Sequence, residues 1–577
     1  MNERQIVHIR ISESEAGIAS RDSNQDSNQE SRDSPVSAPE TPTSSKGDTA
    51  NVRRSLPIKA KAIPVRMSIV SPEGKSFVPL GRSSEFPIGF GEQVSSELYL
   101  DKKVHCYFDG NGEISLPTQT PLELQLSKGL RYRPRQQTWQ GKSGQLTFRL
   151  SLEKDRHSCF WDDNWITGDA RIHFCEPHSA WLGAAAEDIQ VANLLLTERN
   201  IPSFDGHQYQ HIDHLEAYSG NTPLLEKNGH VVSVNTFHQH AVLGHLALLH
   251  THRPIFPLRS GFELSSSNES TSTFGTHWSL VDWCDQAHRK NGFTVWCNAN
   301  RFQNNQRLSE GVVAAILQKI DFIEFDSFDY KEPFLPFWYA ILNSGCCLGI
   351  IGSSARSNNC TPIGAMRTYA YCPFKELSIY ERWVHGLQHG ATFVTNGPLL
   401  DLTINGHSPG STILLKENSP SDSPLSVRIK LIAYLPKGTE RLELIVNGQI
   451  YKQFKASPEN RWIEKEEEVP ILENSWVAAR CWSTESVSPY PQQPIFAHTS
   501  PIYIKTPQQK WAYDKKAIAS LMKIIGETRF YLESIASWND QIPNESLKSL
   551  NKPRIQGSLN YLEQAKKTLE DRLIQAP

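Results

Sequence analysis

Thr392-Phe393-Val394-Thr395-Asn396-Gly397-Pro398-Leu399-Leu400 leaves a short amphipathic helix and enters β-patterned sequence, which marks it as the exit from an α/β unit. Trp165-Ile166-Thr167-Gly168-Asp169-Ala170-Arg171-Ile172-His173-Phe174 lies where such a unit begins. Between the two, strand-like and helix-like stretches alternate. Ile189 to Leu196 reads as a strand, and Leu280 to Arg289 as a helix leading through Asn291-Gly292 into the apolar strand Phe293-Thr294-Val295-Trp296-Cys297. Val312 to Lys319 leads in the same way into Phe322-Ile323-Glu324-Phe325, and Trp338 to Asn343 into Leu348-Gly349-Ile350-Ile351-Gly352. Strands and helices in turn specify parallel strands with crossover helices, here a distorted β/α barrel. Chemistry in such barrels collects at the carboxyl ends of the strands. The places to examine therefore follow Ile172, Leu196, Val234, Val295, Phe325 and Ile351.

Outward from this unit the patterning changes on both sides. Val65 to Leu152 shows short alternating runs between turn signals such as Pro72-Glu73-Gly74 and Asp109-Gly110-Asn111-Gly112, the pattern of a small antiparallel β-sandwich. After Pro398 a second sandwich is expected, with Asn405-Gly406 and Asn447-Gly448 as turn signals. Two helices follow, Lys510 to Trp538 and Arg554 to Ile574; Leu559, Leu562, Leu569 and Leu573 give the second an apolar stripe that suits a helical hairpin. Residues 1–62 are rich in Ser, Asp, Asn, Gln, Glu and Pro and are expected to form a disordered tail. The expected organisation is an α/β multidomain chain: tail 1–62, β-sandwich 63–155, β/α barrel 156–400, β-sandwich 401–506 and helical hairpin 507–577.

The 577 residues exceed what one core accommodates, and the net charge of −3 supplies no field that draws the chain to nucleic acid or anionic lipid. The first thirty residues contain no apolar signal region, and no run of ~18 apolar residues occurs. The expectation is a cytoplasmic protein with neither a nucleic-acid nor a membrane partner. Its ten cysteines include no Cys-x-x-Cys and read as reduced, buried thiols.

The two quoted segments together resemble the CehA/McbA-type metallohydrolases of the PHP (polymerase and histidinol phosphatase) superfamily. The resemblance runs over residues 66–450 and includes Gly244-His245, Ala287-His288 with Gly292, Trp338-Tyr339, Leu342-Asn343-Ser344-Gly345 and Thr395-Asn396-Gly397-Pro398. It implies a PHP-like barrel, hydrolase chemistry and a divalent metal such as zinc, manganese or iron. The family's first strand carries Gly-Asp-x-His-x-His, and the matching positions here are Gly168, Asp169, Arg171 and His173. Arginine stays protonated and cannot ligate a cation, so Arg171 opposes a metal and favours an anion. The family's glutamate falls on Phe237 or a neighbour, and no carboxylate lies between Val231 and His245. Its His-Pro aligns near Ala299-Asn300, and its closing Gly-Thr-Asp appears as Gly352-Ser353-Ser354.

His173 and His245 remain as metal candidates. His238 and His240 are possible replacements, because their spacing places both imidazoles on one strand face. His207 and His211 would share a face if their segment were helical. Glu324 and Asp326, at a strand end, are the acid/base candidates. The expected function is an altered, non-catalytic relative whose cleft holds a small polar or anionic ligand through Asp169, Arg171, Asn300, Arg301, Ser354 and Asn396. The alternative is an active hydrolase in which His173, His245 and either His238 or His240 surround one metal that activates water.

Overall fold

Arg4–Glu13, assigned above to the tail, alternates polar and apolar side chains, and Val7, Ile9 and Ile11 are fully buried. The strand sits in the middle of a three-stranded sheet, antiparallel to Asn111–Pro117 and parallel to Thr147–Leu152. That sheet shares a core with a five-stranded sheet containing Val65–Val70, Lys103–Phe108 and Pro121–Ser127. The expected first sandwich is present, and the tail assignment is corrected at its beginning. A period-two run of three β-branched residues is enough to hold ten residues when both flanking strands are waiting for a partner.

The computed structural model describes residues 4–14, 61–80, 97–100, 102–202, 208–261, 276–299, 308–327, 334–416, 425–436, 439, 441–455, 461–486, 494–507 and 513–576. The remainder of the expected tail lies outside these residues. The fold is mixed α/β and multidomain, organised around a large curled sheet.

In that sheet Trp165–Ile172, Val191–Leu196 and His230–His240 run parallel, as do Phe293–Cys297, Phe322–Asp326 and Gly349–Ser353. Gly244–Leu249 is antiparallel to the strands on both its sides. The strand and helix alternation fails here because only residues 241–243 separate His230–His240 from Gly244–Leu249, too few for a crossover. A bridge from Ile172 to Arg356 brings the last parallel strand back toward the first.

The concave interior is filled by Ile166, Val191, Val231, Phe237, Val295 and Phe322, together with Tyr380, Trp383 and Leu387 of helix Ile379–Gln388. The outer face carries helices Leu280–His288, Glu310–Ile316 and Phe334–Asn343, and on these lies the C-terminal hairpin, Lys515–Asn539 and Glu545–Gln575. The last helix begins nine residues before the expected Arg554 and carries Pro553 inside it, its N-terminus capped by the Asn544 side chain, which accepts from the Leu547 N–H at 3.1 Å. Leu562 and Leu569 are buried against the outer layer, as the stripe implies.

The second sandwich pairs Leu399–Ile404, Ser426–Tyr434 and Trp462–Pro470 in one sheet. Its other sheet is continuous with the central one, since Thr392–Thr395 pairs with Pro494–Thr499. The Thr-Asn-Gly-Pro turn is thus a seam between two parts of one hydrogen-bonded surface. At the other end, Arg66 pairs with Glu187 at 3.0 Å, and Arg131 grips Asp188 through two nitrogens, tying the first sandwich to the residues after helix Pro177–Ala186.

Because Ile9 is an interior side chain of the first sandwich, Ile9→Ala is expected to cost about 2–5 kcal/mol in urea unfolding. Deletion of residues 1–14 should lower the melting temperature by several degrees; an unchanged melting point would contradict the strand's place in the core.

Candidate functional site

The site forms where the first curled-sheet strand departs from regular pairing. Ala192 and Leu194 pair with Asp169 and Ile172, three steps along one strand against two along the other, so Trp165–Ile172 carries one extra residue. Such a bulge re-aims a side chain. Ala170 belongs to the interior cluster, and Arg171, its immediate neighbour, also meets interior residues. Gly168 is required just before the bulge, because a Cβ there would overlap the Trp383 ring.

Arg171 is the centre of the arrangement. Its Nε donates to Glu324 Oε1 at 2.7 Å and its Nη2 to Asp326 Oδ2 at 3.0 Å, with a longer contact from Nη2 to Asn298 Oδ1 at 3.4 Å. The guanidinium lies 5.5 Å from the centre of the Phe237 ring. Burial works against the charge, but Glu324, Cys297 and Asp326 outweigh it and hold the group above its ordinary range. Ser353 Oγ donates to Glu324 Oε1, and the Cys297 thiol is also hydrogen-bonded to this carboxylate, whose side chain is 1% exposed. Burial first, then Glu324, raises the Cys297 thiol well above its usual range, so it is no thiolate nucleophile.

Asp169 has a different role from the one expected of it. Its Oδ1 accepts from the Ser354 N–H at 3.0 Å and the Arg171 N–H at 3.2 Å, and its Oδ2 from the Gly364 N–H at 2.8 Å. Burial pushes this carboxyl up to about 6 against those hydrogen bonds. Asp169 and Ser354 thus fasten the chain leaving Gly349–Ser353 to the first strand. The Asn396 amide donates to Pro494 O at 2.7 Å and accepts from the Phe496 N–H at 2.8 Å, which places it at the seam with the second sandwich. All three residues are hydrogen-bonded to buried backbone groups of the chain itself.

His173 lies beside the triad, its Nδ1 2.9 Å from Thr197 Oγ1 and its ring edge-on to Phe237 at 4.8 Å. Burial, Arg171, His214 and His245 together press its pKa well below the ordinary histidine range, so the imidazole is neutral. His245 is half-buried, its Nδ1 2.9 Å from Asn298 Nδ2. Because Asn298 Oδ1 faces Arg171, its amide nitrogen faces His245 and donates, leaving the histidine proton on Nε2. The position aligned with the family's glutamate is filled by Phe237, wedged between the His173 and His245 rings.

His238 and His240 lie on the opposite strand face from Phe237. His238 has Pro257 O at 3.2 Å and Thr236 Oγ1 at 3.0 Å on its two nitrogens, and its ring packs on Trp283 of the outer layer. His240 Nδ1 accepts from the Val242 and Leu243 N–H groups at 3.2 and 3.1 Å, which fixes its proton on Nε2. By the strand's own alternation both rings lie on the face opposite Phe237, the residue that packs against His173. His211 lies on strand Gln208–Ile212, not on a helix, and pairs with Asp213. His207, Asn300 and Arg301 lie outside the described residues. Among the described residues no three His, Cys, Asp or Glu side chains are grouped so as to hold a metal ion.

Asn298, Thr197, Ser353 and His214 belong to the site and were not singled out beforehand. Asn298 had a signal: an asparagine directly after a buried strand, here with φ 53°, a conformation asparagine tolerates better than most residues. Thr197 and Ser353 are short polar residues at strand ends, and His214 stands two residues after strand Gln208–Ile212 with φ 62°.

Comparison with known proteins adds little to this geometry. No family model matches the chain, and no curated protein matches it. Among solved structures, "pT26-6p" aligns with a TM-score of 0.13 and 11% identity over 32% of this chain, which spans 46% of that structure's length. A likeness at that level carries no conclusion about fold or function.

Arg171→Met leaves two buried carboxylates without their cation and is expected to cost about 3–5 kcal/mol in denaturant unfolding. Arg171→Lys keeps the charge but not the planar fork and should cost measurably less. Equal, negligible losses would show that the triad contributes nothing to the interior.

Proposed function

We propose that this chain is a divergent CehA/McbA-type protein of the PHP superfamily, with a PHP-like barrel in its curled sheet and a guanidinium where the divalent metal of its relatives would lie. It acts as a binder of a small polar ligand and not as a hydrolase. The observation that carries the proposal is the pairing of Arg171 with Glu324 and Asp326 beside His173, at the carboxyl ends of the strands.

The residues present do not fit zinc, manganese or iron. Arg171 places a fixed positive charge among the carboxylates that would otherwise attract a cation, and Phe237 fills the space between the two histidines. The active-hydrolase alternative needs His238 or His240 to join His173 and His245, and both face the outer helices. An anionic ligand needs an uncommitted cation, and Arg171 is committed to two carboxylates. The triad carries one positive and two negative charges, so the ligand that suits it is a polar one bringing a hydrogen-bond donor toward the Glu324 carboxylate. His245 and Asn298, both half-buried, form the polar edge it meets first.

Protein purified without chelator and dialysed is expected to hold well under one equivalent of zinc, manganese and iron by elemental analysis. A stoichiometric ion that survives dialysis and is lost in His173→Ala would overturn the proposal. Arg171→His, which removes the competing charge and restores an imidazole, is expected to raise metal content above that of the wild type.

A further inference from the structure

A second buried polar cluster lies outside the site, beneath the C-terminal helix. Glu310, at the first turn of Glu310–Ile316, is fully buried; its carboxylate accepts from Ser279 Oγ at 2.7 Å and the Leu280 N–H at 2.8 Å, and also meets the Ser558 hydroxyl. Ser558 belongs to Glu545–Gln575 and sits 2.9 Å from Nε2 of His277, which is equally buried. Asn551 of the same helix accepts from the His277 N–H at 2.9 Å. One serine hydroxyl of the C-terminal helix therefore bridges a fully buried acid and a fully buried base.

We propose that Glu310, Ser558 and His277 form a proton-sharing latch that docks the C-terminal hairpin as a neutral acid–imidazole pair. Charge separation between two groups removed from water is unfavourable, and a hydroxyl between them offers the route by which one proton serves either. Docking moves a proton from the imidazole to the carboxylate and takes up almost none from solvent. Beside the latch, Ser309 donates its N–H to Thr528 of Lys515–Asn539 at 3.1 Å, a second tie between the start of Glu310–Ile316 and the hairpin.

The groups around the pair are consistent with this. Burial, with a smaller push from Asp282, raises Glu310 to about 7 against its three donors, and burial, with Arg554, lowers His277 to about 4. Asp282 and Cys284 face the cluster from Leu280–His288. Arg554, over the Trp278 ring, and Tyr561, donating to Asp282, face it from the C-terminal helix. His240 lies edge-on to His277 from the sheet, and Thr528 stands on the remaining helix. For Glu310 the raised value makes docking strongest at low pH and weaker as pH rises from the ordinary glutamate range through about 7. For His277 the lowered value makes docking strongest above the ordinary histidine range and weaker as pH falls through about 4. The two dependences oppose each other across the same window and nearly cancel.

Hydrogen exchange of residues 545–575 in the full chain, corrected for intrinsic rates and followed from pH 4.5 to 6.5, tests the latch. Wild-type protection is expected to stay within about threefold, while Glu310→Gln loses up to about a hundredfold as pH falls and His277→Gln a similar factor as pH rises. Should either variant fail to fold, Ser558→Ala keeps both titrating groups and removes a donor to the carboxylate, so with the series extended to about pH 7.5 its protection should fall further below the wild type's as pH rises. A steep wild-type profile, or flat profiles in the variants, would overturn the proposal.

Discussion

A buried guanidinium shared by two carboxylates organises the interior of the curled sheet. Arg171 comes from Trp165–Ile172, and Glu324 and Asp326 from Phe322–Asp326, so the ion pairs join strands more than 150 residues apart in sequence. Three ionised side chains in an apolar interior would be strongly unfavourable singly, and their mutual pairing and hydrogen bonds offset that cost. The bulge, the bare Gly168 beneath Trp383 and the Asp169 clasp on Ser354 and Gly364 all serve to aim this one side chain.

The same geometry is what supports the proposed reading against a metal. A cation that is covalently part of the chain cannot exchange, cannot open a coordination position and cannot activate water as a bound metal does. His173 and His245 lie beside it, engaged with Thr197, Phe237 and Asn298.

Much of the architecture was legible in the sequence because apolar periodicity reports burial directly. Phe293–Cys297 and Phe322–Asp326 lie on the apolar runs that mark them in the sequence. Arg4–Glu13 was not, since three apolar residues among polar neighbours acquire meaning only from the strands on either side. At the site, the Gly168-to-His173 pattern pointed to Arg171, but not to its partners. Glu324 and Asp326 were recognised as strand-end carboxylates; that they would neutralise Arg171 depends on the curl of the sheet, which no local pattern encodes. His238 and His240 show the converse. Their shared strand face was read correctly, and only the side of the sheet on which Phe237 lies shows that this face looks away from the cleft.

The central claim is that Arg171 and Glu324 act as one interacting unit. A double-mutant cycle with Arg171→Met, Glu324→Gln and the combined variant, measured by denaturant unfolding at neutral pH, isolates that interaction. The account predicts a coupling energy of about 2 kcal/mol or more, with the double variant more stable than Arg171→Met alone. Additive losses, with coupling below about 0.5 kcal/mol, would contradict it.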